Sequence, residues 1–184
     1  WFRRDLRLDD NFGLFNALQS DFPVIPLFIF DEDILEHLPK NDARVNFIYD
    51  SLQKLNEELK KNGSSILIKI GKPLEVWKSL FEKYDIQNVF FNKDYEPFAI
   101  KRDLAVTALA KEHNVEALSF KDHVIFEEKE ITKADGLPYT VYTPYKNKWL
   151  EKYHFTGAEE YQTEDLFSNF AKHDFDFPEL SQIG

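Results

Sequence analysis

Arg3, Arg4 and Arg7 alternate with Asp5, Asp9 and Asp10 in the stretch Trp1 to Asn11, where only leucines and two leading aromatics separate the charges. Guanidiniums at this density suit an anionic ring oxygen or a phosphate, and carboxylates accept hydrogen bonds from ring N–H and hydroxyl groups. The same side chains can instead pair with one another and pin a loop, so two roles are open to them on residue type alone. Their position favours a site. Trp1-Phe2 reads as the end of a strand, and Phe12, Leu14, Phe15 and Leu18 form the stripe of an amphipathic helix. A charged loop between a strand and a helix is where open α/β sheets bind their ligands.

The elements that must position these groups follow from apolar periodicity. Val24 to Phe30 reads as a buried strand, with Pro26 at its start or at a bulge because proline cannot donate to a ladder. Val45, Ile48, Leu52, Leu55 and Leu59 recur at spacings of three and four, predicting a helix capped by Asn41 or Asp42 and stopped by Gly63. Ile66 to Ile70, Val89 to Phe91 and Val115 to Phe120 read as further strands. Val76, Trp77, Leu80, Phe81 and Tyr84 supply one intervening helical face, and Ile100, Leu104, Ala108 and Leu109 another. Strands alternating with helices predict a Rossmann-like α/β domain, a three-layer α/β/α arrangement around a five-stranded parallel sheet. Its expected extent is residues 1–150. Tyr139 to Thr143 reads as a β-rich stretch before a short helix carrying Tyr145, Trp149 and Leu150, and residues 151–184 read as a connector on the domain surface.

Residues just beyond each predicted strand then form one ring: Arg3 and Arg4, Asp31, Gly71, Asn92 to Glu96, and Asp122 with His123. Such a ring at the carboxyl ends of the strands reads as a binding site. It lacks the features of the common nucleotide cradles. The chain has 6 glycines, with no Gly-x-Gly-x-x-Gly and no Gly-Lys-Ser or Gly-Lys-Thr. The five histidines are scattered, so no metal ligand set is expected, and no nucleophile elbow points to a catalytic triad. With no cysteine there is neither a thiolate nucleophile nor a disulfide framework.

The 184 residues fit one domain with an appended tail, and 18 phenylalanines dominate the apolar content. No apolar run spans a bilayer, and the expected setting is soluble and cytoplasmic, without a membrane partner. Trp1-Phe2 reads as only the tail of a first strand, which makes the chain a fragment by expectation. A net charge of −10 makes the domain a poor candidate to grip DNA by itself, because non-specific binding runs on lysine and arginine neutralising phosphates.

Several segments resemble the DNA photolyase and cryptochrome family, in family order: Trp1-Phe2-Arg3-Arg4-Asp5-Leu6-Arg7-Leu8, Asp42-Ala43-Arg44-Val45, Asn92 to Pro97 with Lys101-Arg102-Asp103, and Tyr139 to Trp149. The resemblance runs from Trp1 to about Trp149. It implies the amino-terminal α/β domain that commonly houses a light-harvesting antenna chromophore. The family's FAD, its photochemistry and most of its contacts with pyrimidine-dimer DNA belong to a helical carboxyl-terminal domain, which nothing here resembles; that domain of the same polypeptide is the implied partner. No catalytic residue is therefore expected in this chain. In members with deazaflavin or flavin mononucleotide (FMN) antennas, the pocket residues fall on Arg4, Asp31, Arg44, Asp94 and Glu96. Folate-type members carry an Asn-Glu pair where this chain has Phe98-Ala99, so a deazaflavin or FMN antenna is expected over folate, and some members carry none. The expected holoprotein is a deoxyribodipyrimidine photolyase. A cryptochrome photoreceptor shares the architecture, and a free-standing nucleotide-binding α/β module is the reading from a different class.

Overall fold

A computed structural model describes residues 1–183. Helix α1 (Phe12–Leu18) is followed by strand β1 (Leu27–Asp31), a single turn α2 (Glu32–Leu35) and the long helix α3 (Ala43–Lys61). Strand β2 (Leu67–Gly71), helix α4 (Pro73–Lys83), strand β3 (Asn88–Asn92), helix α5 (Pro97–Glu112) and strand β4 (Glu116–Phe120) continue the alternation, and α6 (Tyr142–Thr156) closes it. The helix read most directly from sequence is α3. Its Asp42 carboxylate accepts from the Arg44 N–H, and Gly63, just past its end, takes the left-handed φ of 71° that glycine tolerates. Pro26 lies one residue before β1 and still contributes, its carbonyl accepting from Leu67.

The strands bury both faces. In β1, Phe28 and Phe30 pack with Leu52, Leu55 and Leu59 of α3 and with Leu14 and Leu18 of α1. Leu27 and Ile29, pointing the other way, pack with Trp77 and Leu80 of α4 and Val106 and Ala110 of α5. This period of two places helices on both sides of the strands.

The expected five-stranded sheet does not form. β1 pairs in parallel with β2, and β3 in parallel with β4, as two separate two-stranded sheets. The reason lies in Trp1-Phe2, which was to supply the strand between them. Phe2 makes a single parallel bridge to Phe28, its N–H donating to the Leu27 carbonyl at 2.8 Å. On the other side the Trp1 nitrogen donates to the Phe90 carbonyl at 2.8 Å. Two residues touch both pairs but are too few to build a ladder.

One further expectation changes. Tyr139–Val141 forms no strand and leads into α6, which is longer than the short helix predicted. Residues 151–183 lie against the domain, with Phe167, Phe170 and Ile183 buried in the α3-side core and Phe170 bridging Val24 in parallel. No helix among the described residues is long and apolar enough to cross a membrane.

Candidate functional site

Asn92 ends β3 and is almost fully buried, at 1% exposure. Its amide N–H groups donate to Asp5 Oδ2 at 2.7 Å and Asn11 Oδ1 at 2.8 Å, while its own Oδ1 accepts from the Gly13 N–H at 2.8 Å. Asn11 in turn caps α1 by accepting from Leu14, and Asp5 accepts from the Arg3 N–H. At the end of β4, Asp122 accepts from Arg7 at 2.9 Å and from the Phe12 N–H at 2.9 Å. Of the charges in the first loop, Asp5 and Arg7 therefore spend themselves in holding that loop and α1 against the strand ends.

The close approach of α1 to β3 depends on Gly13. A Cβ there would stand 2.7 Å from Oδ1 of Asn92, whose side-chain amide is fixed in place by three hydrogen bonds, one through Oδ1 and two through Nδ2. Gly13→Ala is expected to destabilise the domain by about 1–3 kcal/mol, the ordinary cost of overpacking. Thermal unfolding measures it, and an unchanged midpoint would show that Asn92 can move aside.

Arg3 turns inward. Its guanidinium donates to Asp103 Oδ1 at 2.6 Å and to the Asn92 carbonyl, and it lies over the rings of Trp1 and Phe91 at 4.7 and 4.9 Å. Arg102 joins the same Asp103 oxygen at 2.9 Å and covers Trp1 at 5.0 Å.

Arg4 turns outward. Its Nη2 donates to Glu96 Oε1 at 2.8 Å, and its Nε lies 3.6 Å from Asp94 Oδ2, which brings three of the sequence-predicted residues together on the rim of the strand ends. Hydrogen bonding to Glu96 raises the pKa of Arg4 and keeps it charged. Asp31, the last residue of β1, is 7% exposed. One carboxylate oxygen accepts from the Asp33 N–H at 3.0 Å, capping α2, and the other is buried without a hydrogen-bond partner. Burial pushes its pKa up, with the charge of Arg102 among the opposing influences. Arg44 is held apart from these residues. It stands on the first turn of α3, largely exposed, with its guanidinium closed onto Asp42 at 2.7 Å.

Sequence reasoning missed a second set on the same rim. Glu127 accepts from Lys93 at 2.8 Å and from the Tyr95 hydroxyl at 3.1 Å. Glu130 accepts from Lys121 at 2.9 Å, and its Oε1 lies 3.5 Å from Lys152 of α6. These carboxylates lie in an aperiodic loop, and no local signal distinguishes them from solvated charges. Asp5, Asp122 and His123 also place one ligand atom each within 4.8 Å of one another. Both carboxylates are already engaged by the loop contacts above, an arrangement that serves packing before it serves a cation.

The family model for DNA photolyase matches residues 1–165. The chain is 34% identical over 149 residues to a deoxyribodipyrimidine photo-lyase of Synechococcus, covering 81% of this chain and 31% of that one. It is 32% identical over 136 residues to cryptochrome-2 of Gallus gallus, covering 74% of this chain and 23% of that one. Among solved structures it is similar to an archaeal photolyase from Sulfolobus tokodaii, described with two FAD molecules and a novel light-harvesting cofactor. That match has a TM-score of 0.75 and 31% identity, and covers 88% of this chain and 35% of that chain. The chain thus spans about a third of the length of the photolyases it matches here.

Proposed function

The chain belongs to the DNA photolyase family, and we propose that it is the antenna-chromophore domain of a deoxyribodipyrimidine photolyase whose complete polypeptide repairs pyrimidine dimers with light. The observation that carries the antenna reading is Asp31. A carboxylate oxygen buried at a strand end without a partner is costly unless a ligand donates to it. An N–H of a flavin or deazaflavin ring is such a donor. Arg4, with Asp94 and Glu96 beside it, offers a cation for an anionic ring oxygen or phosphate and acceptors for ribityl hydroxyls. Arg44 enters this pocket only by exchanging its Asp42 partner for the ligand.

When bound, the antenna absorbs light and passes the excitation to the FAD of the helical carboxyl-terminal domain of the same polypeptide. This chain's residues hold and orient the antenna. Repair requires that flavin close to the dimer, so these 184 residues supply light harvesting and not the bond-breaking step.

Reconstituting the full-length polypeptide with FMN, a deazaflavin or a reduced folate, followed by absorption and energy-transfer measurements, tests the reading. The archaeal relative makes FAD a fourth arm. FMN or deazaflavin uptake in preference to folate is expected, because Ala99, buried at the position of the folate family's acid, cannot hold a pterin. Preferential folate uptake would overturn it. A cryptochrome photoreceptor of the same architecture is separated by assaying dimer repair in the same preparation.

A further inference from the structure

The loop that carries Asp94 and Glu96 faces two ways. Asp94 and Glu96 reach Arg4, whereas Lys93 and Tyr95, which alternate with them, reach Glu127. An extended chain imposes this alternation, because successive side chains leave it on opposite sides. We propose that Glu127 is a positioning residue of the antenna site: by holding Lys93 and Tyr95 it fixes the loop, and with it the two acids beside Arg4. This rests on the antenna reading and adds the residue that sets the site's geometry from behind.

The loop needs such a hold. The Lys93 N–H donates to the Phe120 carbonyl at 2.7 Å and prolongs the pairing of β3 with β4 by one bond. Helix α5 begins only at Pro97, which has no N–H to give. In between, the Glu96 N–H turns back onto the loop's own Asp94 carboxylate at 3.2 Å. Among the described residues, no backbone hydrogen bond ties Asp94, Tyr95 or Glu96 to a strand. Side chains therefore decide where this segment lies.

Glu127 meets that need from a fixed position. Its Oε1 accepts both from the Lys93 ammonium at 2.8 Å and from the Tyr95 hydroxyl at 3.1 Å. Hydrogen bonding from Lys93 holds the Glu127 carboxyl below the usual carboxylate range. Burial, together with the bond to Glu127, pushes the Tyr95 hydroxyl up, so the acceptor stays ionised and the donor protonated. Glu127 is itself anchored. Its N–H donates to Glu130 Oε2 at 2.6 Å, and the same oxygen accepts from Lys121, just past β4, at 2.9 Å. Lys152 of α6 donates to the Glu130 carbonyl at 3.1 Å. Contacts thus run from β4 and α6 through Glu130 and Glu127 to the loop. The Lys93 and Glu127 side chains are 40% and 27% exposed, so their pairing adds little to stability. Its consequence is geometric.

The test measures the affinity of the full-length polypeptide for FMN and for a deazaflavin. Glu127→Ala, Tyr95→Phe and the two combined are compared with Glu128→Ala, which removes the same charge from the exposed neighbour. Glu127→Ala is expected to weaken binding about tenfold. The ligand-free thermal midpoint should move by less than about 2 °C. Tyr95→Phe should show part of the loss, and the double variant should bind no more weakly than Glu127→Ala, because the hydroxyl acts through that carboxylate. Glu127→Gln keeps an acceptor oxygen and should recover most of the affinity. Without ligand, hydrogen exchange at the Tyr95 and Glu96 amides should rise at least about fivefold in Glu127→Ala and not in Glu128→Ala. Affinity or exchange no different from the control, additive losses in the double variant, or a midpoint that falls in step with affinity would overturn the proposal. An unsubstituted polypeptide that takes up neither chromophore would overturn the antenna reading, and this proposal with it. Uptake that is equal with and without Glu127 would overturn this proposal alone.

Discussion

Replacing Asp103 with alanine is expected to destabilise the domain by about 3–5 kcal/mol, the cost of breaking a buried ion pair from one side. Asp103 is the shared acceptor of two guanidiniums, Arg3 at 2.6 Å and Arg102 at 2.9 Å, whose side chains are only 7% and 12% exposed. Alanine leaves both cations desolvated against the Trp1 ring without the carboxylate they share. Asp103→Asn keeps an acceptor oxygen and removes the charge, so it should fall between alanine and the parent. Urea denaturation provides the measurement, and Arg44→Ala is the control. That guanidinium is largely exposed where it pairs with Asp42, and its removal should leave the midpoint nearly unchanged. A loss at Asp103 as small as that of the control would show that Arg3 and Arg102 find water or other partners.

Asp31→Asn should weaken antenna binding in the full-length protein by about 10–100-fold, the worth of one hydrogen bond to a charged acceptor. The same change should leave the ligand-free domain as stable as before or more so. Asparagine keeps the oxygen that accepts from Asp33 and caps α2, and replaces only the buried oxygen that has no partner. Stability against pH gives an independent readout with a definite sign. The folded pKa of Asp31 is raised by burial, so between the ordinary carboxylate value and the raised one the folded state binds more protons than the unfolded state. The Asp31 contribution to stability is therefore largest on the acid side and falls as pH rises through that window. Asp31→Asn should remove this slope. Binding that survives the substitution, or a slope that persists in it, would move the antenna reading away from Asp31.

Local chemistry made much of this protein legible in its sequence. The α3 stripe, its Asp42 cap and the Gly63 stop are decided within one or two helical turns, and periodicity suffices to read them. The alternation of β1 to β4 with helices, and so the strand ends as the place for polar residues, followed from the same local rules. The segments from Trp1-Phe2-Arg3-Arg4 onward carried the family likeness, which the match over residues 1–165 upholds.

Partner choice was decided by tertiary structure. Arg3, Arg4 and Arg7 look alike in sequence, yet they meet Asp103, Glu96 and Asp122, each about a hundred positions away along the chain. One is buried over aromatics, one rims the crevice and one pins α1. Asp31 and Arg44 were equal candidates, and burial leaves one with an unpartnered oxygen while solvent leaves the other closed on its neighbour. The strand count turned on the same kind of fact, because Trp1-Phe2 can bridge β1 and β3 but cannot join them into one sheet. Phe167 and Phe170 lie in a stretch without periodicity, and only the return of the chain past Val24 puts them in the core. The physical reason is common to all of these. Helix stripes and caps are set by neighbours within a few residues, whereas burial and ion pairing depend on groups that only the folded chain brings within reach.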